Sequence, residues 1–205
     1  MNYELIPPKE IVEKTAAALK ERDVETLVVD TKEQALEKIK EFIPKGASVM
    51  NGSSTTLEQI GFVDYLKSGA HGWNNLHEAI LAEKDPVKQS ELRKQATLSD
   101  YYLGSVNALA QTGEFIVASN SGSQLPHIVF TSLNLIFVVG TQKIVPTLAD
   151  AMRRLEDYVV PLEDQHMKKL YGIGTILSKI VIFKHENPMM GRKVKMILVQ
   201  EKLGF

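Results

Sequence analysis

The chain has 205 residues, 44% of them apolar and 24% charged, with a formal net charge of −1. Such a chain can bury a sizeable core, and its near-neutral balance excludes a basic footprint for nucleic acid or an anionic membrane surface. The lack of cysteine excludes disulfides, thiolate nucleophiles and Cys-held zinc or iron–sulfur clusters within the chain.

The opening MNYELIPPKE has neither the basic start nor the apolar centre of a signal peptide. No apolar run approaches the ~20 residues of a membrane span. A cytoplasmic protein is therefore expected, without membrane or nucleic-acid partners.

Pro7-Pro8 opens a helix whose stripe is Ile11, Val12, Thr15, Ala16 and Leu19; Asp23 ends it, and Thr26–Val29 reads as a strand. Thr31-Lys-Glu-Gln34 is a capping box, and Ala35, Leu36, Ile39, Phe42 and Ile43 recur behind it at helical spacing. Ala47–Met50 is a second short strand. Asn51–Thr56 then leads into a helix marked by Leu57, Ile60 and Val63. Asp85-Pro86 caps a weakly amphipathic helix through Leu98, either solvated or covering something outside this core.

The stretch from Asp100 to Val145 is the centre of the chain. It holds three strand-like runs, Tyr101–Leu103, Phe115–Ala118 and Leu133–Val139. Each gives way to a glycine-bearing polar segment: Gly104–Asn107, Ser119–Gln124 and Gly140–Lys143. Strand ends of this kind are where open α/β sheets place ligands. Thr147 caps a further helix with Leu148, Met152, Leu155 and Val159 inside, and Pro161 is expected to close it. A short helix follows, and Ile180–Phe183 and Val194–Val199 are expected to pair antiparallel across the Asn187-Pro188…Gly191 turn. The alternation predicts an α/β fold: a single domain over 1–205, three-layered, with a mostly parallel Rossmann-like sheet and an antiparallel edge.

Several blocks carry a family likeness: Asn51–Gly61, Gly104-Ser105, Thr112–Glu114, Ala118–Pro126, Val138–Gly140 with Lys143–Val145, Pro161–Asp164 and Gly191–Val199. In order, over nearly the whole chain, they resemble the lactate-utilisation (LUD) domain family. The resemblance implies a fold like that of sugar-phosphate isomerases, coenzyme A transferases and 5-formyltetrahydrofolate cyclo-ligase. Some members are subunits of a bacterial L-lactate oxidation system whose iron–sulfur centres lie on partner chains. Others stand alone with no assigned reaction. Many members carry an acid where this chain has Gln111 and a histidine where it has Asn107, and some carry a Cys-rich segment absent here. A neutral pocket follows, better suited to binding than to acid–base chemistry.

Individual residues then divide between two readings each. Ser53, Ser54, Thr55 and Thr56 could cradle a phosphate or carboxylate, or could simply cap a helix through a Thr55–Glu58 capping box. Ser119, Asn120, Ser123 and Gln124, with Gly122 admitting close backbone approach, read as a ligand loop. Lys143 is either a point charge for that ligand or a solvated lysine, and Asn107, Gln111 and Gly140 complete the candidate site. Glu114 is either a nucleophile like that of the coenzyme A transferases or a strand-entry residue facing water.

The five histidines, His71, His77, His127, His166 and His185, have no ligand spacing, so no metal site is expected; His127, just behind the serine-rich loop, is the one to follow. No cofactor signature is evident beyond room for coenzyme A or another phosphate-bearing metabolite. The function expected is binding of a small anionic metabolite, linked through the resemblance to lactate utilisation. The alternative is a non-catalytic accessory subunit docking on iron–sulfur oxidoreductase subunits through the Pro86–Leu98 helix. A homo-oligomer is left open.

Overall fold

A computed structural model describes residues 1–205. Helix α1 (Lys9–Lys20) leads through Asp23, which takes a positive φ of 59°, into β1 (Val24–Val29). The capping box is present at α2 (Lys32–Phe42): the Thr31 side chain accepts from the Gln34 N–H, and the Gln34 side chain accepts in return. Strand β2 (Ser48–Asn51) follows. The single helix expected after it is two, α3 (Thr55–Gln59) and α4 (Phe62–Lys67), because Gly61 between them is left-handed at φ 77°. The cap of α3 is Ser54, which accepts from the Leu57 N–H, and not the expected Thr55.

Next come β3 (Asn74–Asn75), α5 (Leu76–Ala82) and α6 (Pro86–Gln95), the last capped by Asp85 as expected. Strands β4 (Tyr101–Gly104), β5 (Ala108–Ala110), β6 (Phe115–Ser119), β7 (Asn134–Gly140) and β8 (Ile144–Val145) fill the central stretch. Helix α7 (Leu148–Arg154) is capped by Thr147 and does not stop at Pro161. A wide π-helical turn, Leu155–Val159, carries it into α8 (Val160–Tyr171). The wider turn accommodates a proline that has no N–H to donate. Strands β9 (Lys179–Phe183) and β10 (Lys193–Val199) close the chain.

Six strands form an all-parallel sheet in the order β1-β10-β7-β4-β2-β3. Its central strands read as unbroken apolar runs because both faces are covered. On one face Ala35, Ile39, Leu57 and Phe62 from α2, α3 and α4 pack on Ile136, Val138, Ile197 and Val199. On the other, Val12, Ala16 and Leu19 of α1 meet Phe137, Met196 and Leu198. The α/β class and mostly parallel sheet are thus as expected.

The antiparallel pairing is real but lies elsewhere. A second sheet, β8-β5-β6-β9, holds β5–β6 and β6–β9 antiparallel. So Ile180–Phe183 does not pair with Val194–Val199. β9 joins β6, with Phe183 stacked on Phe115 at 4.6 Å, whereas β10 sits parallel between β1 and β7. Burial decides this. Met196–Val199 is buried throughout and demands cover on both faces, while Ile180 and Ile182 tolerate exposure at an edge. The second sheet lies against the first through Leu109, Phe115 and Val117 and against α7 through Ala108 and Ile116.

Candidate functional site

Two sheets meeting at their strand ends leave a cleft of about 980 Å³. Its floor is made by the ends of β2 and β4 and by the loop after β6. One wall is the helical run from Leu155 to Tyr171, and the other is α5 with α6.

Lys143 lies at the floor and is 3% exposed. Its Nζ donates to Thr56 Oγ1 at 3.2 Å, Ser105 Oγ at 3.1 Å and the Val106 carbonyl at 3.1 Å. All three partners are neutral. Burial, with the Arg154 guanidinium adding repulsion, pushes the lysine down to about 7. Arg154 is itself fully buried. It donates from Nη1 to the Asn107 carbonyl, while its Nε and Nη2 have no partner. Tyr3 and Tyr158 offer ring faces at 5.8 and 5.3 Å, which stabilises a cation without supplying a counter-charge. Burial lowers Arg154 to about 10, so it remains charged at neutral pH.

Buried cations ordinarily need a paired charge. Here two lie close together with none, Lys143 lining the cleft and Arg154 behind it. Further out, Arg93 and Lys94 line the cleft from α6, against a single lining carboxylate, Glu163. Burial, opposed by His166 and reinforced by Glu58, holds Glu163 above the usual carboxylate range. The Ser54 and Thr56 N–H groups are not donated within the chain. The floor therefore presents a cation, hydroxyls and free amides to whatever enters, which suits an anion.

His127 is buried in this floor, stacked on Tyr102 at 4.7 Å. Its Nδ1 is 3.3 Å from both Ser99 Oγ and Ser132 Oγ, and burial pushes it down to about 4, so it is neutral. His127 lines the cleft, whereas Ser99 and Ser132, 2% and 0% exposed, lie behind it.

The model of the LUD domain family matches residues 12–179. The chain belongs to the LUD domain family. The crystal structure of a DUF162 family protein from Deinococcus radiodurans superposes on this LUD domain with a TM-score of 0.53, at 12% identity over 94% of this chain and 99% of that one. The two share a fold. Ribose 5 phosphate isomerase A from Neisseria gonorrhoeae aligns at 14% identity over 76% of this chain and 75% of that one, with a TM-score of 0.36 that is too low to argue from. No curated protein matches.

Within this LUD domain the cleft gathers most of the expected site. Ser53, Ser54, Thr55 and Thr56 line it from the β2–α3 loop. Ser119, Asn120, Ser123 and Gln124 line it from the loop after β6, and Asn107 and Lys143 complete the floor. Gln124 is held by Nε2 donating to the Ala118 carbonyl at 3.2 Å, and Asn107 Oδ1 accepts from the Ala118 N–H at 2.7 Å.

Four expected residues fall outside. Gly122 turns the loop at φ 85° and lies against Lys179. Gln111 sits at the far end of β5, where its N–H donates to Val145. Gly140 serves close chain approach: a methyl there would come within 2.6 Å of the Leu203 nitrogen and 2.8 Å of the Glu201 carbonyl. Glu114 is bound by Arg22 at 2.9 Å and by Thr112. Burial works against its ionisation, but Thr112, its own N–H, Arg22 and Lys184 outweigh that and hold it below the usual range.

Sequence reasoning missed Ser105, Arg154, Glu163 and the α6 cations. Ser105 and Glu163 stood inside blocks that carried the family likeness. Arg154 left no signal, since Arg153-Arg154 reads as a solvated helix end. No group of three or more His, Asp or Glu side chains is placed to hold a metal, and no helix is long and apolar enough to cross a membrane.

Proposed function

We propose that this LUD domain binds a small organic anion, a carboxylate or phosphate, with its charged group on Lys143, Thr56 and Ser105. One observation carries the reading: Lys143 is buried at the floor of an open cleft with only neutral partners, beside a second buried cation. An anion arriving there supplies the missing counter-charge in a place where water screens little. Lactate is the first carboxylate to try, given the resemblance that named the family. Calorimetric titration with lactate, inorganic phosphate and coenzyme A tests it. Saturable binding that Lys143→Met weakens about 100-fold is expected; a wild-type protein that binds none of the three, nor any other simple carboxylate, defeats the proposal.

The accessory-subunit reading is supported by one feature, α6, none of whose residues is buried. Its outer side, where Val87 is 68% exposed, is available to a partner chain. Purification of the native complex decides: recovery of iron–sulfur subunits that Val87→Glu in α6 releases favours docking, and recovery of this chain alone counts against it.

A further inference from the structure

The floor of the cleft is polar, and its exposed rim sets three large apolar side chains among polar ones such as Arg93, Lys94 and Ser123. Leu81 on α5, Tyr171 at the end of α8 and Ile176 before β9 all line the cleft, yet they are 59%, 66% and 71% exposed. Three large apolar side chains from three separate segments thus line one cleft while remaining open to solvent. Between floor and mouth, the Leu155–Tyr171 wall turns Val159, Val160 and Met167 to the cavity. At about 980 Å³ the cleft stands at the upper end of small-molecule sites and far exceeds what a three-carbon hydroxy acid fills.

We propose that the ligand is an amphipathic organic anion: a carboxylate or phosphate head at Lys143, and an aliphatic body lying along the α8 wall and ending between Leu81, Tyr171 and Ile176. This rests on the anion reading of the floor and adds the class of the remainder. Glu163 is the one carboxylate side chain on that wall and disfavours a second anionic group along α8, while Arg93 and Lys94 stand on the opposite wall. A body laid along α8 is therefore uncharged, and one reaching α6 is the alternative that the suberate control reads. Exposed aliphatic side chains at an opening are costly in water and gain most from an alkyl chain laid across them.

A homologous series decides the matter. Butyrate, hexanoate, octanoate and decanoate, each below its aggregation threshold, are titrated into the full chain by calorimetry, with the dicarboxylate suberate as a charged-end control. Affinity should rise roughly two- to fourfold per methylene. Octanoate should bind more tightly than suberate. The double variant Leu81→Ser, Ile176→Ser should flatten the series and leave butyrate affinity unchanged. Both side chains are solvent-exposed, and unchanged thermal melting confirms the fold.

Equal affinity along the series overturns the inference and leaves the anion site standing. So does suberate binding more tightly than octanoate with the gain lost in Arg93→Ala, which would make α6 a second anion pole. If butyrate, phosphate and every longer acid fail to bind, the floor reading falls first and this one with it.

Discussion

The β5–β6 hairpin has two ends, and they treat positive charge in opposite ways. At its turn, Arg22 reaches from α1 and is fully occupied. Its Nε donates to the Thr112 carbonyl at 2.7 Å, Nη1 to the Lys184 carbonyl, and Nη2 meets Glu114 at 2.9 Å. At its other end, Asn107 accepts from Arg154, and Lys143 lies close by, with no carboxylate on either. One hairpin thus joins a finished ionic clamp to an unfinished one. The finished end ties α1, the hairpin and β9 together, and the unfinished end faces the cleft. An arrangement that leaves cations buried and unpaired opposes folding, and the proposed anion would relieve it.

The sharpest break of this contrast is Lys143→Met, which keeps side-chain length and removes the charge. Anion affinity should fall about 100-fold, or about 2.7 kcal/mol. Stability should rise by about 1–3 kcal/mol, because a desolvated ammonium is replaced by an apolar group of similar volume. Chemical denaturation and calorimetry on the same preparation check both signs. A variant that loses both binding and stability would make Lys143 a structural residue.

The mirror experiment is Arg22→Ala. It removes the ion pair from Glu114, which keeps only Thr112, and leaves two carbonyls without their donor, and should cost about 2–3 kcal/mol while anion affinity stays within about twofold. A large loss of affinity would mean that the two ends are coupled through the hairpin, contrary to the contrast drawn above.

The pH dependence comes next in size. With Lys143 at about 7, a carboxylate ligand should bind with constant affinity below pH 7. It should lose up to about tenfold per unit above that, as the ammonium deprotonates. Stability runs the other way. The folded chain holds Lys143 below its unfolded value of 10.5, so it binds fewer protons than the unfolded chain between those two values. The penalty for burying the charge is complete below pH 7 and fades as pH rises towards 10. Lys143→Met should remove both slopes. An affinity that stays level across pH 7 in the wild-type protein would place the head of the ligand elsewhere.

Both ends of the hairpin were only partly legible beforehand, and the reasons are physical. The capping box at Thr31 and Gln34 could be read because its donors and acceptors lie within one turn. The buried strands β7 and β10 could be read because cover on both faces forces unbroken apolar runs. The partner of β9 could not, since Phe183 meets Phe115 from 68 positions further along the chain and the nearby turn residues point to a local hairpin. The polar loops after β2 and β6 were legible as strand ends, although β6 belongs to a different sheet from β4 and β7. Glu114 reads as a candidate nucleophile from the sequence, because the clamp that occupies it comes from Arg22, just past α1 and far away in sequence. Gln111 and Asn107 looked like two departures at one site. Only Asn107 reaches the cleft, so only that departure bears on its chemistry.

Asn107→Asp turns the unfinished end towards the finished one with a single change of atom, and it is the smallest perturbation. Asn107 Oδ1 already accepts from the Ala118 N–H, a bond that a carboxylate keeps and strengthens. The new charge lies near Arg154, which donates to the same residue's carbonyl. Stability should rise by about 1 kcal/mol at neutral pH, since a buried cation gains a partner that fits the existing hydrogen bonds. The gain should disappear as pH falls through the aspartate's depressed range, because the folded state holds that carboxylate ionised more strongly than the unfolded state does. Anion affinity should fall about fivefold, as the introduced carboxylate competes with the ligand for the same field. If Asn107→Asp stabilised the protein without weakening binding, the ligand would depend on the Lys143 hydrogen bonds and not on the shared charge of the floor. If it destabilised the protein, Arg154 would already be neutralised by a partner, and the contrast between the two ends would be lost.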